Sequence, residues 1–295
     1  MTTRSSPPPP PPGLPEIPEA GAPDTVAALY RDIRATLGVD LVNLVYRHLA
    51  TVPGALAWAW GLLAPHFRSG AIDAQAQALR SQVQRDIANW APAFAGIGAA
   101  GPVRADAEAL VRAYNLNNSR NLLALQHLLC AGNGAEGRAP RADGAKDGAT
   151  EGTAQPLPPV QALPPLPPLP PLPAWSALHS AAQATVMRLN RLGEPAEPAI
   201  VASLYRHLAL WPALLDTLEP ALTGLDARGR MASALAHTVR TAQAIAQATP
   251  LAMPQPAPAT VDAALRARLQ VFADVTIPKM LPVGLALEAA LAPLP

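Results

Sequence analysis

The chain lacks most of what would name a chemistry. It has one cysteine, Cys130, in 295 residues, which excludes an internal disulfide framework, a CxxC redox pair and a cysteine-based zinc site. Charged residues make up only 15%, against about 25% in an average domain. Twenty-two basic and 21 acidic residues leave a net charge of +1, too small a surplus for a polyanion binder. Aromatic residues are 4%, and no basic stripe interleaves with them as a nucleic-acid surface requires. The six histidines (His48, His66, His127, His179, His207, His237) form neither an i, i+4 pair nor HExxH, so no metal is expected. No GxSxG elbow and no P-loop occur. No apolar segment follows Met1 as a secretory signal demands; prolines 7–12 stand there instead. The strongest apolar run, Val52 to Pro65, is shorter than the ~20 residues that span a bilayer. The expectation is a soluble cytoplasmic protein without a membrane or nucleic-acid partner.

What is present is proline and aliphatic carbon: 36 prolines and 50% hydrophobic residues. The first 22 residues read as a Pro-rich disordered or extended tail. Pro23-Asp24 opens a helical pattern in which Val26, Leu29, Tyr30, Ile33 and Leu37 share one face, and Gly38 suits its end. Leu41 to Ala50 reads as a buried helix stopped before Pro53, and Gly54 to Ala64 as another. Ala76, Leu79, Val83 and Ile87 mark a further helix, and 105–129 one or two more. Residues 131–155 carry no apolar stripe and read as disordered. In Leu157–Pro173, Pro-Pro-Leu repeats with the period of three of polyproline II, either a stiff strap along the protein or a ligand for a polyproline-binding module. Beyond Trp175 the helical pattern resumes: Val186 and Leu189; Ile200 to Leu210; Met231, Leu235, Val239 and Ala242; then Val261, Leu265, Leu269 and Phe272, with Thr260 as cap. No alternating strand pattern competes, so the fold class is all-α. Gly96 to Gly101 satisfies GxGxxG, but helices and prolines flank it where a dinucleotide fingerprint needs a strand; it reads as an interhelical loop.

The chain also repeats itself. Tyr46-Arg47-His48-Leu49-Ala50 recurs as Tyr205-Arg206-His207-Leu208-Ala209, displaced by 159 residues, and Pro53 and Pro212 keep that displacement. A second anchor, Tyr114 to Ser119, lies 67 residues past Arg47, and Phe272 to Ile277 lies 66 past Arg206. Two anchors at matching spacing predict two homologous helical repeats, 23–130 and 175–295, packed as an intramolecular pseudo-dimer and joined by a Pro-rich linker over 131–174. A ligand site between them is the default, and a homodimer of the whole chain stays open.

The residues Leu29–Gly54, Ala113–Leu125 and Ser203–Leu215, with the two-half layout, resemble the group I 2-haloacid dehalogenases, the DehI type, which are akin to the AhpD-like helical proteins. The resemblance implies an all-α pseudo-dimer that hydrolyses small 2-haloalkanoic acids between its halves without metal or cofactor. In that family an aspartate, helped by an asparagine, activates water for direct attack. By resemblance Asn118 takes the asparagine's role and Ser203 precedes the catalytic position. That position is Leu204, which cannot accept a proton. Tyr205 matches the aromatic residue after it, and Leu41 and Leu44 fall on two aromatic pocket positions. The base of the family mechanism is thus missing. The peroxidase chemistry of AhpD-like proteins, which needs a cysteine pair, is excluded by the lone Cys130.

Other residues compete for roles. Asp40, Glu194, Glu197 and Asp274 are carboxylates that either point into the pocket or sit in solvent. His48 and His207 follow arginines on apolar helices, as packed side chains or as bases. Arg47 and Arg206 need acceptors in so apolar a run; the two readings are a structural ion pair and a guanidinium fork for a ligand carboxylate. Tyr46, Tyr114 and Tyr205 read as packing, and Lys279 as an exposed lysine. The function expected is a dehalogenase-like hydrolase of a small 2-substituted carboxylic acid, against two alternatives: a non-catalytic carboxylate binder in the same cleft, or a helical protein recruiting partners through its Pro-rich segments.

Overall fold

The computed structural model describes residues 14–97, 101–134, 166–194 and 200–292. All regular structure among them is helical. Glu197, most of residues 131–155, and the GxGxxG positions 98–100 lie outside the described residues.

Helix α1 (Asp24–Leu37) starts after Pro23 and carries Asp24 in its first turn, where an acid meets the positive end of the helix dipole. It ends at Gly38, whose φ of 62° places it in the left-handed region, and the Gly38 N–H closes on the Arg34 carbonyl at 2.9 Å. Helix α2 is shorter than the apolar pattern suggested: only Leu44–Leu49 is helical. Asn43 decides this. Its side chain accepts the Val45 N–H at 3.1 Å, an N-cap that starts the helix there and leaves Leu41 and Val42 outside it. Helices α3 (Ala55–Arg68) and α4 (Ala71–Asp86) follow, then a short α5 (Ala91–Phe94) and a single long α6 (Gly101–Gly134).

Beyond the described gap come α7 (Ser180–Arg191), α8 (Ser203–Leu208), α9 (Pro212–Asp226), α10 (Arg230–Ala248), α11 (Ala263–Val271) and α12 (Ile277–Leu291). The apolar run from Ile200 again yields a shorter helix than expected. Asp262, not Thr260, caps α11: its carboxylate accepts the Leu265 N–H at 2.8 Å. A π-helical turn, Phe272–Thr276, joins α11 to α12, so Ala263–Leu291 runs as one 29-residue helix. That helix is apolar enough by composition to cross a membrane, but 72% of its most apolar window is buried in the protein. Its hydropathy is that of a core element.

The centre of the core is the pairing of α12 with α6, flanked by α4 and α10. The close approach depends on Gly284: a Cβ there would stand 2.0 Å from Oδ1 of Asn115 on α6. Asn115 uses the space to donate to Glu288 at 2.6 Å.

Two extended segments lie outside this bundle. Residues 14–22 are held on the bundle. Ile17 N–H donates to the Arg47 carbonyl at 3.0 Å, the Tyr30 hydroxyl donates to the Ile17 carbonyl at 2.8 Å, and Glu19 accepts the Val42 N–H at 3.0 Å. Residues 166–174 are likewise extended, with Leu166 and Leu169 packed on the core.

Candidate functional site

Two spaces adjoin where α2, α6, α8 and the π turn meet. The inner one, about 30 Å³, is lined by Leu41, Asn43, Leu44, Arg47, Tyr114, Asn118, Ser203, Leu204, Phe272 and Thr276, among others. A water needs about 10–15 Å³, so this cavity takes a molecule of a few heavy atoms. The outer one, about 620 Å³, lies between the two extended segments and includes Glu16, Asp40, Leu169, Trp175 and Arg206 in its lining. Leu41 and Arg47 border both.

The fold therefore brings Leu41, Leu44, Arg47, Asn118, Ser203 and Leu204 to one cavity, and Arg206 to its neighbour. Tyr205 is fully buried and lines neither. Asn118 is buried, and its Oδ1 faces the Asn43 amide at 3.5 Å. Asn43 was missed as a site residue, although an Asn directly before an apolar helix is a cap signal. Phe272, Thr276 and Met280 were missed as cavity walls because nothing in the chain foretells a π turn, a feature common at functional sites.

No carboxylate is among the described residues of the inner cavity. Leu204 is 1% exposed and offers only methyl groups. Asp40 borders the outer space and lies 3.7 Å from Arg34. Asp274 accepts from Gln270 at 2.8 Å and lines neither space. Glu194 pairs with Lys279, which corrects the expectation of an exposed lysine. Lys279 is 1% exposed, and its ammonium also donates to the Asn190 carbonyl at 2.5 Å. Burial lowers its pKa, while Glu194 and Asp226 favour the charged form; a buried ammonium persists only with such partners.

Both helical histidines bind a proline carbonyl. His48 Nδ1 donates to Pro15 at 2.7 Å, and His207 Nε2 donates to Pro170 at 2.8 Å. With Nε2 protonated, neutral His207 has a lone pair at Nδ1, and the Tyr114 hydroxyl donates to it across 3.2 Å. Burial lowers the His207 pKa to about 4, and the neighbouring Arg206 adds to that. Burial also lowers His48. Neither ring lines the inner cavity. Tyr46, Tyr114 and Tyr205 are held far above the usual phenol range by burial. Tyr46 packs edge-on against Trp60 with ring centres 5.8 Å apart.

Arg47 is 5% exposed, and its Nε lies 3.0 Å from Oε2 of Glu16, within ion-pair range but not in hydrogen-bond geometry. Arg206 is half-buried; its Nε has no acceptor, and burial lowers its pKa.

No protein-family model and no curated protein sequence matches the chain. Two solved structures share its architecture. A D-2-haloacid dehalogenase mutant in complex with D-2-CPA has a TM-score of 0.66 at 16% identity, covering 93% of this chain and 94% of that one. A D-2-halacid dehalogenase mutant has a TM-score of 0.66 at 17% identity, covering 96% of each. At that identity the likeness is one of backbone, and over nearly its whole length this chain has their fold.

Proposed function

We propose that the protein is a pseudo-dimer of two homologous repeats whose inner cavity binds a small 2-substituted carboxylic acid without hydrolysing it by the dehalogenase route. Several features support the repeat. Helices α2 and α8 share Tyr-Arg-His-Leu. Each is preceded by a Pro-rich segment, Leu14-Pro15-Glu16-Ile17-Pro18 or Leu169-Pro170-Pro171-Leu172-Pro173, whose first proline offers its carbonyl to the histidine. The cavity draws its walls from both halves.

The observation that carries the function is the lining itself. It holds one guanidinium (Arg47), two amides (Asn43, Asn118), the hydroxyls of Tyr114, Ser203 and Thr276, and otherwise apolar side chains; by the sequence resemblance Leu204 stands at the position of the dehalogenase base. A guanidinium is the matched partner of a carboxylate. Leu41, Leu44, Leu204 and Met280 suit a short apolar body. One fold neighbour is described with D-2-CPA, a small haloacid. A general base is worth typically ~10²–10⁴-fold, and none lines this cavity among the described residues.

The test is calorimetric titration with D- and L-2-chloropropionate, alongside halide release, on wild type and Leu204→Asp. Wild type is expected to bind at least one enantiomer and release no halide. Leu204→Asp, its fold checked by thermal unfolding, is expected to gain release. Halide release by wild type would overturn the non-catalytic reading, and absence of binding would overturn the carboxylate site.

A further inference from the structure

The outer chamber contains charge that the inner cavity does not explain. Nε of Arg47 and Nε of Arg206 are both shielded from solvent without a hydrogen-bond acceptor. Glu16 is within ion-pair range of Arg47, whereas Arg206 has no ion-pair partner among the described residues. Arg206 is nonetheless within electrostatic reach of Glu16 and Arg47, and all three line the same chamber. The other two acids bordering the chamber, Glu19 and Asp40, turn to Arg34. The chamber thus holds two guanidiniums and one carboxylate not engaged by Arg34. Keeping a cation from water without a full partner is costly, and a second carboxylate is the complementary group.

The walls describe the rest of the occupant. Leu41, Leu169, Pro171, Leu172 and Trp175 present apolar and aromatic surface around about 620 Å³, within the ~300–1,000 Å³ of small-molecule sites. The inner cavity, at about 30 Å³, does not accept a body of that size.

We infer that the chamber between the two Pro-rich segments is an organic-anion site: Arg47 and Arg206 take the carboxylate of a monocarboxylic acid with a ring-sized apolar body, and Glu16 competes for the same guanidiniums. This goes beyond the inner-cavity reading and shares only Leu41 and Arg47 with it. Glu16 is the intramolecular competitor because it reaches Arg47 from a segment pinned on either side of it, by the Pro15 carbonyl on His48 and the Ile17 N–H on the Arg47 carbonyl.

The probe is benzoate, titrated by calorimetry into the full chain as wild type, Glu16→Gln and Arg206→Gln, with 2-chloropropionate titrated into wild type in parallel. Wild type is expected to bind benzoate. Glu16→Gln should tighten it by about tenfold, since the competing carboxylate is gone while both cations stay. Arg206→Gln should weaken it by at least about tenfold. If Arg206→Gln fails to fold, Glu16→Gln decides, because it removes no cation. No heat from benzoate with either wild type or Glu16→Gln would overturn the proposal, as would weaker binding by Glu16→Gln. Benzoate binding without 2-chloropropionate binding would remove the inner-cavity reading and support this one; the opposite pattern would do the reverse.

Discussion

Helices α2 and α8 carry the same Tyr-Arg-His-Leu and do different things with it. In α2, Arg47 is buried against Glu16, and the ring nitrogen of His48 not used by Pro15 is buried without a partner. In α8, Arg206 has no acid of its own, and His207 is satisfied on both nitrogens. The cause lies in the ring opposite each histidine. His207 meets Tyr114, ring centres 5.9 Å apart, which supplies a hydroxyl; His48 meets Phe272 at 6.3 Å, which has none. One sequence thus gives two chemistries because its neighbours differ by one oxygen atom and one carboxylate. Roles belong to contacts, not to motifs.

The strongest way to break the comparison is to separate the helices that present Tyr114 and Phe272. Gly284→Ala places a methyl group 2.0 Å from Oδ1 of Asn115, so either the Asn115 amide gives up its place and its bond to Glu288 or α6 and α12 move apart. The loss should be at least ~3 kcal/mol, at or beyond the upper end of ordinary overpacking costs, measured by urea unfolding. A stability within ~1 kcal/mol of wild type would mean that Asn115 has somewhere else to go.

Acid should act next. His207 has a folded pKa of about 4, and so has His127, which burial lowers and which sits against Gln75 at 2.7 Å. A folded pKa below the unfolded value means that the unfolded chain binds more protons between the two. The stability these neutral rings confer is therefore full above about 6.5 and is lost as pH falls from about 6.5 to about 4. Each should contribute on the order of 3 kcal/mol over that window. His207→Gln should flatten the dependence, read from unfolding midpoints across the range; an unchanged slope would show that His207 does not carry it.

The finest change exchanges the two rings. Tyr114→Phe leaves Nδ1 of His207 without its donor and should cost ~1–3 kcal/mol. Phe272→Tyr offers His48 a hydroxyl and should gain up to ~1 kcal/mol. If the hydroxyl is the whole difference between the two helices, the pair of variants moves stability in opposite directions in thermal scans.

Much of this was legible beforehand because burial follows period. The stripe Tyr30, Ile33, Leu37 and the stripe Leu265, Leu269, Phe272 are buried as their spacing predicts. What the pattern misjudges is where helices start. Leu41 and Ile200 are apolar and buried yet non-helical: the Asn43 cap sets the first turn of α2, while α8 starts after Ala202 with no side-chain cap. Thr260 loses to Asp262 for the same local reason. At the site, the cavity residues Asn118, Ser203 and Leu204 were found through a resemblance, not through pattern. Glu16 and Lys279 were illegible: each depends on a partner far along the chain, Arg47 for one and Glu194 for the other. A lone charged residue looks the same in sequence whether it meets water or a counter-charge.

The π turn Phe272–Thr276 also records where the chain tolerates a change of length. In an α-helix each residue advances the face by about 100°, so one inserted residue would swing everything downstream away from its neighbours. A wider turn loops that residue out and leaves both flanking faces where they were. Phe272 and Met280 reach the same cavity from its two sides. Removing one residue from this turn should tighten it to an ordinary helix with Gly284 still against α6, while the cavity wall between Phe272 and Met280 is redrawn. The segment is the place where this protein, or a designer, can reshape that cavity while the pairing of α6 with α12 is kept.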